Sequence, residues 1–345
     1  MKAMMLTGIR KMEMMNIPEP AISDDHEVKI RMEVVGVCGS DVHYYLRGKI
    51  GSQVVKYPFT VGHEGAGTVI ETGPAVTRVK SGDRIAIEPA MPCWECDQCR
   101  TGRHHTCRKL RFLGCPGQAE GCLAEYIVMP ETSCFPIAAG LAFDEAAISE
   151  PLAIGVYAVR KSVSMPYSRI AVLGSGPIGM SVMLAAKAAG CEKVYITDRI
   201  EERLRCAKES GADWTGNIDK DDITSLILQS EPLMLDAVFE CCGKQEAMYQ
   251  AFELLKPGGK LVIVGIPEFD HWLVPADISR RKEITVQNIR RQVDCVEPAL
   301  HYLSEGKIKV AAMATHRFLF KDTREAFETV AEYRGGVMKA MIDFR

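Results

Sequence analysis

Cys93, Cys96, Cys99 and Cys107 are spaced by three, three and eight residues, a pattern that suits one tetrahedral metal ion. Zinc accepts four thiolates in a closed tetrahedron, and two-residue gaps let a single loop turn its sulfurs inward without strain. A closed site of this kind contributes to folding rather than to chemistry. From Pro92 to Arg108 the only large apolar side chain is Trp94, so without a metal this lobe has little to hold it together. The ordinary alternative is four thiols of a reducing cytosol, or disulfides. A second group, Cys38, His63 and Glu64, offers a thiolate, an imidazole and a carboxylate. Mixed sets of three leave a position for water or substrate, which is what makes a zinc catalytic. Taken singly, Cys38 reads as a buried thiol and His63-Glu64 as a turn pair; the rest of the chain is what turns them toward chemistry.

That context begins with Gly174-Ser175-Gly176-Pro177-Ile178-Gly179, which stands between a predicted strand, Arg169 to Leu173, and a predicted helix reaching Ala189. The first glycine makes the tight turn, the second lets backbone approach a pyrophosphate, and the third lets helix pack on strand. A second predicted strand ends on Asp198, nineteen residues past Gly179, where a carboxylate accepts both ribose hydroxyls of a dinucleotide and repels a 2′-phosphate. The pattern therefore predicts NAD over NADP, although Arg199 next to it is a group that tolerates a phosphate. Arg203 beyond Asp198, and Val264-Gly265-Ile266 beyond a later strand, are further candidate cofactor contacts. The plain alternative is a surface turn with a chance aspartate.

Positioning these groups takes more than one core. At 345 residues, with 47% hydrophobic and 25% charged side chains, the chain reads as a globular protein of two domains. Short alternating segments at Val28 to Val34, Gly67 to Glu71, Arg84 to Ile87 and Leu123 to Val128, punctuated by Gly, Pro and Asp, predict an irregular β-rich domain over 1–154, with the metal lobe at about 92–108. From 155 to 288 the pattern alternates strand and helix. Six short apolar strands (Arg169 to Leu173, Lys193 to Thr197, Asp213 to Thr215, Leu235 to Phe239, Lys260 to Val264, Ile284 to Gln287) predict a doubly wound parallel sheet. Residues 289–345 return to mixed patterns.

A net charge of -3 without runs of Lys or Arg excludes a nucleic-acid footprint. The N-terminal stretch is interrupted by Lys2, Arg10, Lys11 and Glu13, and no segment reaches membrane-span length, so no signal peptide and no membrane partner are expected. Thirteen cysteines without an export signal suit a reducing, cytoplasmic compartment.

Several ordered stretches carry a family likeness: Cys38-Gly39-Ser40-Asp41-Val42-His43-Tyr44, Gly62-His63-Glu64-Gly65-Ala66-Gly67, Gly82-Asp83-Arg84, Ser149-Glu150-Pro151-Leu152 and Thr315-His316-Arg317-Phe318. Together they resemble the medium-chain zinc alcohol dehydrogenase superfamily, and Cys38 to Tyr44 with Arg84-Ile85-Ala86-Ile87-Glu88-Pro89 most resemble its sorbitol (L-iditol 2-) dehydrogenase branch. The resemblance implies a GroES-like catalytic domain built from both chain ends, a Rossmann NAD domain between them, and an active-site cleft at their junction. It implies a catalytic zinc on Cys38, His63 and Glu64, with Glu150 similar to the family glutamate that reaches the metal or contacts its water and the substrate; either glutamate is a candidate third ligand. Ser40 and His43 resemble the family's hydroxyl-to-imidazole proton relay, the alternative being a helix N-cap and a solvated histidine. Tyr44 and Arg290 match positions that contact the polyol. Family members are usually dimers or tetramers through the coenzyme domain's edge strand, so a homo-oligomer is implied.

The chemistry expected is removal of a hydride from the carbon of a secondary hydroxyl, polarised by zinc, to a nicotinamide, giving a ketose from a polyol such as sorbitol, iditol or xylitol. One position departs from the branch. Arg291 stands where tyrosine is common, and a second guanidinium either binds a phosphate or carboxylate on the substrate or faces solvent. A dehydrogenase of a phosphorylated polyol or sugar acid, or another zinc alcohol dehydrogenase acting on threonine or butanediol, is the enzyme alternative. A non-catalytic NAD-binding or metal-storage protein is the other, and the mixed set with Glu150 argues against it, because storage needs no open site.

Overall fold

The computed structural model describes residues 1–345. The chain forms two compact units: Met1–Glu150 with Leu300–Gly306 and Met313–Arg345, and Pro151–Ala299 with Lys307–Ala312.

The first unit is built on a seven-stranded sheet. Its order is Cys134–Pro136, Arg84–Ile87, Glu64–Thr72, Glu27–Gly36, Lys339–Asp343 and Ala314–Leu319, with Tyr126–Pro130 also pairing with Glu27–Gly36. Glu27–Gly36 lies centrally: Val28, Ile30, Met32 and Val34 are buried and alternate with Lys29, Arg31 and Glu33, and Val35 is buried near its end. Its C-terminal end lies between two neighbours: Gly36 pairs with Glu64, the first residue of one, and with Met341, in the middle of the other. The last strand of the chain thus completes the sheet that carries the His63-Glu64 turn. Tyr45, Phe59, Ile85, Leu123 and Phe327 fill the core around this sheet.

The second unit contains a six-stranded sheet, all parallel, in the order Trp214–Asn217, Lys193–Asp198, Arg169–Leu173, Leu235–Glu240, Leu255–Ile263 and Thr285–Asn288. This is the doubly wound order in which the first strand lies at the switch point, and loops at the C-terminal ends of the strands face the ligand. Ile170, Ala171 and Val172 are fully buried, as a strand covered on both faces must be. The edge strand Thr285–Asn288 pairs on one side only and is largely exposed.

Candidate active site

The open ligand set lies in the first unit. Cys38 follows the central strand and caps the helix Gly39–Arg47, while His63 and Glu64 open the neighbouring strand. One ligand atom from each of Cys38, His63 and Glu64 lies within 4.8 Å of the other two, and His63 and Glu64 are buried. Asp41, wholly buried one turn along from Cys38, accepts from His63 Nδ1 at 3.2 Å and from the Gly62 N–H at 3.3 Å. That contact commits one ring nitrogen and leaves the other for a metal, the usual arrangement of a ligating histidine. Phe112 covers the ring at a centroid distance of 5.5 Å.

Glu64 meets a cation from the other side. Lys339 Nζ donates to both carboxylate oxygens, at 2.7 and 2.6 Å, and each side chain is only 1% exposed. Breaking such a buried pair by removing one member typically costs about 3–5 kcal/mol. Glu150, in the helix Phe143–Arg160, is also buried, but its carboxylate is not in the three-ligand cluster. Burial pushes the Glu150 carboxyl up to about 7, with His63 opposing and Glu64 reinforcing the shift. A thiol, an imidazole and a carboxylate packed this closely fit a divalent cation; the donor set is one that zinc accepts.

Ser40 and His43 sit three residues apart on the helix Gly39–Arg47, hence on one face. Cys38, not Ser40, occupies the cap position, and the Ser40 hydroxyl donates to Cys38 Sγ at 3.3 Å. Tyr44 is buried, with its hydroxyl donating to Gln53 Oε1 at 3.1 Å and lying 3.9 Å from Cys115 Sγ; Gln53 Nε2 in turn donates to that sulfur at 2.8 Å.

The cysteine quartet closes on itself. Sγ separations are 3.6 Å for Cys96–Cys99, 3.9 Å for Cys96–Cys107 and 3.4 Å for Cys93–Cys107. A tetrahedron with zinc–sulfur bonds of about 2.3 Å has edges of about 3.8 Å, so the four sulfurs fit one zinc. The N–H groups of Arg108 and Cys99 draw Cys96 down to about 6, whereas burial, then Cys96 and Cys107, push Cys99 up to about 12. Sulfurs this close cannot all be thiolates without a cation between them.

In the second unit the dinucleotide motif takes the geometry its glycines require. Gly174 has φ +105, Gly176 caps the helix Pro177–Ala188 with Pro177 in its first turn, Ile178 follows inside that helix, and a Cβ on Gly179 would lie 1.8 Å from the Gly174 carbonyl oxygen. Asp198 ends the adjacent strand and accepts from the Ser175 N–H at 2.8 Å. Arg203 is buried, and its guanidinium approaches Gly176 closely enough that a Cβ there would be 3.6 Å from Nη1. Arg199 turns instead to Asp219 at 3.2 Å. Val264 and Gly265 donate to the Glu240 carbonyl at 2.8 and 3.0 Å, and Ile266 is exposed beside them. Arg290 is exposed, and Arg291 is half-buried with φ +55.

Sequence reasoning had no argument for Asp41, Lys339, Gln53 or Cys115. For Lys339 a signal was present: one lysine inside Val337-Met338-Lys339-Ala340-Met341-Ile342, where every neighbour is apolar.

The alcohol dehydrogenase GroES-like domain model matches residues 24–139, and the zinc-binding dehydrogenase model matches residues 177–305. The sorbitol dehydrogenase of Gallus gallus is 37% identical over 339 residues, covering 97% of this chain and 93% of that one. The L-idonate 5-dehydrogenase of Vitis vinifera is 36% identical over 338 residues, covering 96% and 91%. Among solved structures, 2R,3R-butanediol dehydrogenase from Bacillus subtilis superposes with a TM-score of 0.90 at 30% identity, covering 100% of this chain and 99% of that one. Likeness of this extent, with two domain models in the order that the two sheets require, makes the chain a member of the zinc-dependent medium-chain alcohol dehydrogenase superfamily, a sorbitol dehydrogenase-like oxidoreductase.

Proposed function

We propose that the protein oxidises a secondary hydroxyl of a neutral polyol to a ketone, with the hydride passing to NAD and the hydroxyl proton leaving to solvent. The observation that carries this reading is the buried cluster of Cys38, His63 and Glu64 in a chain similar to sorbitol dehydrogenases over nearly its whole length. Zinc bound there supplies Lewis-acid polarisation of the substrate hydroxyl. The chain's own residues do the remainder. Asp41 holds the His63 ring in orientation. Ser40, whose hydroxyl rests against Cys38 Sγ, accepts the substrate proton as its own proton passes to His43 on the same helix face, and His43 releases a proton to solvent. Gly174, Gly176 and Gly179 admit the pyrophosphate, Arg203 offers it a cation, and Asp198 receives the ribose hydroxyls, which favours NAD. The four cysteines of the lobe hold a second, structural zinc.

A sugar acid is the second reading. It is favoured by the adjacent Arg290 and Arg291 and by the likeness to an enzyme named for L-idonate. Association through Thr285–Asn288 is supported by that strand's unpaired side and by the exposure of Val286, Leu273 and Val274 nearby in sequence. A cytoplasmic location suits a lobe whose four thiols must stay reduced to bind metal.

The deciding experiment is a substrate panel with NAD, read by absorbance of the reduced nicotinamide, over sorbitol, xylitol, iditol, galactitol, their phosphates and the corresponding acids. Turnover of a neutral polyol that is lost on chelation and restored by zinc is the expected result. Activity confined to a phosphorylated or acidic substrate would overturn the neutral-polyol reading.

A further inference from the structure

Lys339 takes no part in the steps above, yet it is wholly buried at the open ligand set. Three strand ends bring it there. Glu64 begins one strand and Lys339 another, and both flank the end of Glu27–Gly36, so their side chains must meet across the middle strand. They do so over Gly36. A Cβ at that position would lie 2.5 Å from Glu64 Oε2 and 3.4 Å from Lys339 Cδ, so the pair requires the missing side chain. The ammonium also donates to the Val37 carbonyl at 3.3 Å, the residue just before Cys38. It therefore ties the backbone leading to one ligand to the carboxylate of another. Val337, Met338, Ala340, Met341 and Ile342 are buried and apolar, and an apolar pair at 339 and 64 would suit the core equally. Buried ion pairs are often no more stabilising than apolar packing, so stability alone does not account for this lysine.

We propose that Lys339 is a positioning residue for the catalytic metal: by drawing on both oxygens of the Glu64 carboxylate it keeps that ligand a weak donor. The proposal rests on reading Cys38, His63 and Glu64 as the catalytic zinc site. With Lys339 in place the pair is electrically neutral; without it, Glu64 presents a full negative charge to a divalent ion. Removing the lysine's charge thus tightens the grip on the metal. A merely structural role has the opposite sign, since an unsupported Glu64 loses its aim and the metal leaves faster.

The test uses the full-length protein with zinc at the quartet and cobalt(II) at the open site. Lys339→Met keeps length and removes charge. It should release cobalt to a chelator more slowly than wild type, with shifted visible absorption bands, and Lys339→Arg should fall between the two. Should Lys339→Met fail to fold, the double variant Lys339→Met with Glu64→Gln keeps the pair neutral; it should release cobalt faster than wild type, because an amide is the poorer ligand, and its bands should also shift. Unchanged bands in either variant, or release from Lys339→Met as fast as wild type or faster, would overturn the proposal. A wild-type chain that binds one metal only, at the quartet, would instead overturn the site reading beneath it.

Discussion

Replacing Asp198 with alanine should move cofactor use toward the phosphorylated nucleotide. Its carboxylate accepts from the N–H groups of Ser175 at 2.8 Å, Arg199 at 2.8 Å and Ile200 at 3.0 Å, which fixes it at the end of its strand beside the Gly174 turn. Lone pairs remain on both oxygens for ribose hydroxyls. Losing hydrogen bonds to a charged acceptor costs about 1.5–3 kcal/mol, hence roughly ten- to 150-fold in kcat/KM for NAD. NADP should change in the other direction: a repelling charge disappears, and exposed Arg199, now turned to Asp219, becomes available to the 2′-phosphate. The assay is initial rates with each cofactor at saturating polyol, with thermal melts alongside. The melts matter because Ser175 is fully buried and its N–H loses an acceptor, a further cost of about 1–3 kcal/mol in stability. Asp198→Asn keeps an acceptor oxygen and separates the two effects. Equal use of both cofactors by wild type, or an unchanged ratio in a well-folded Asp198→Ala protein, would refute the argument.

Cys38→Ser should abolish turnover and leave the fold largely standing; near-wild-type kcat would remove Cys38 from the catalytic zinc. For a neutral polyol, Arg290→Ala should cost about 1.5–3 kcal/mol in kcat/KM while Arg291→Tyr is mild; for an anionic substrate, Arg291→Tyr should raise KM steeply, and added salt should mimic it. The Thr77 N–H, then His26 and the Arg78 N–H, draw the Glu131 carboxyl down to about 2. A depressed carboxyl stabilises the fold above its unfolded pKa, so this contribution should fade between about pH 4.5 and pH 2, and Glu131→Gln should flatten that part of a melting-temperature profile.

Much of the fold was legible because local pattern and tertiary demand agreed. The strands Arg84–Ile87 and Arg169–Leu173 cover the residues expected of them. The fifth strand of the parallel sheet begins at Leu255 rather than Lys260: Pro257-Gly258-Gly259 read as a turn, but Gly258, at φ +74, carries the chain through a shift in register. The strand expected over Leu123 to Val128 lies at Tyr126–Pro130, because Leu123 and Ala124 are taken up by the N-terminal hairpin, with the Met4 N–H donating to the Leu123 carbonyl at 2.8 Å. The same division holds at the site. The cysteine quartet announces itself by type and spacing, a local property, whereas Cys38, His63 and Glu64 gain meaning from the dinucleotide motif and the family resemblance. Lys339 and Gly36 acquire meaning only from cross-strand register between segments some three hundred residues apart, and no window of sequence contains that.

The lobe at 92–108 and the open ligand set are linked physically, and the linkage sets what loss of the lobe's metal should do. Its ion pairs, Arg108–Asp97 and Lys109–Glu95, are exposed and contribute little. Trp94, half exposed, packs at a tilt against His104 and buries no core. A metal on Cys93, Cys96, Cys99 and Cys107 would therefore supply the folding energy of this segment. At the lobe's base Ala90–Met91 pairs with Arg111–Phe112, and the Leu113 N–H donates to the Pro89 carbonyl at 3.0 Å. That short ribbon carries Phe112, whose ring covers His63. Cys96→Ser should accordingly leave one zinc per chain, lower the melting temperature, and open 92–108 to protease while the ribbon still holds Phe112 in place. Turnover of the surviving protein should fall less than its stability. A Cys96→Ser protein with wild-type melting and wild-type protease resistance would mean that something other than a metal holds the lobe.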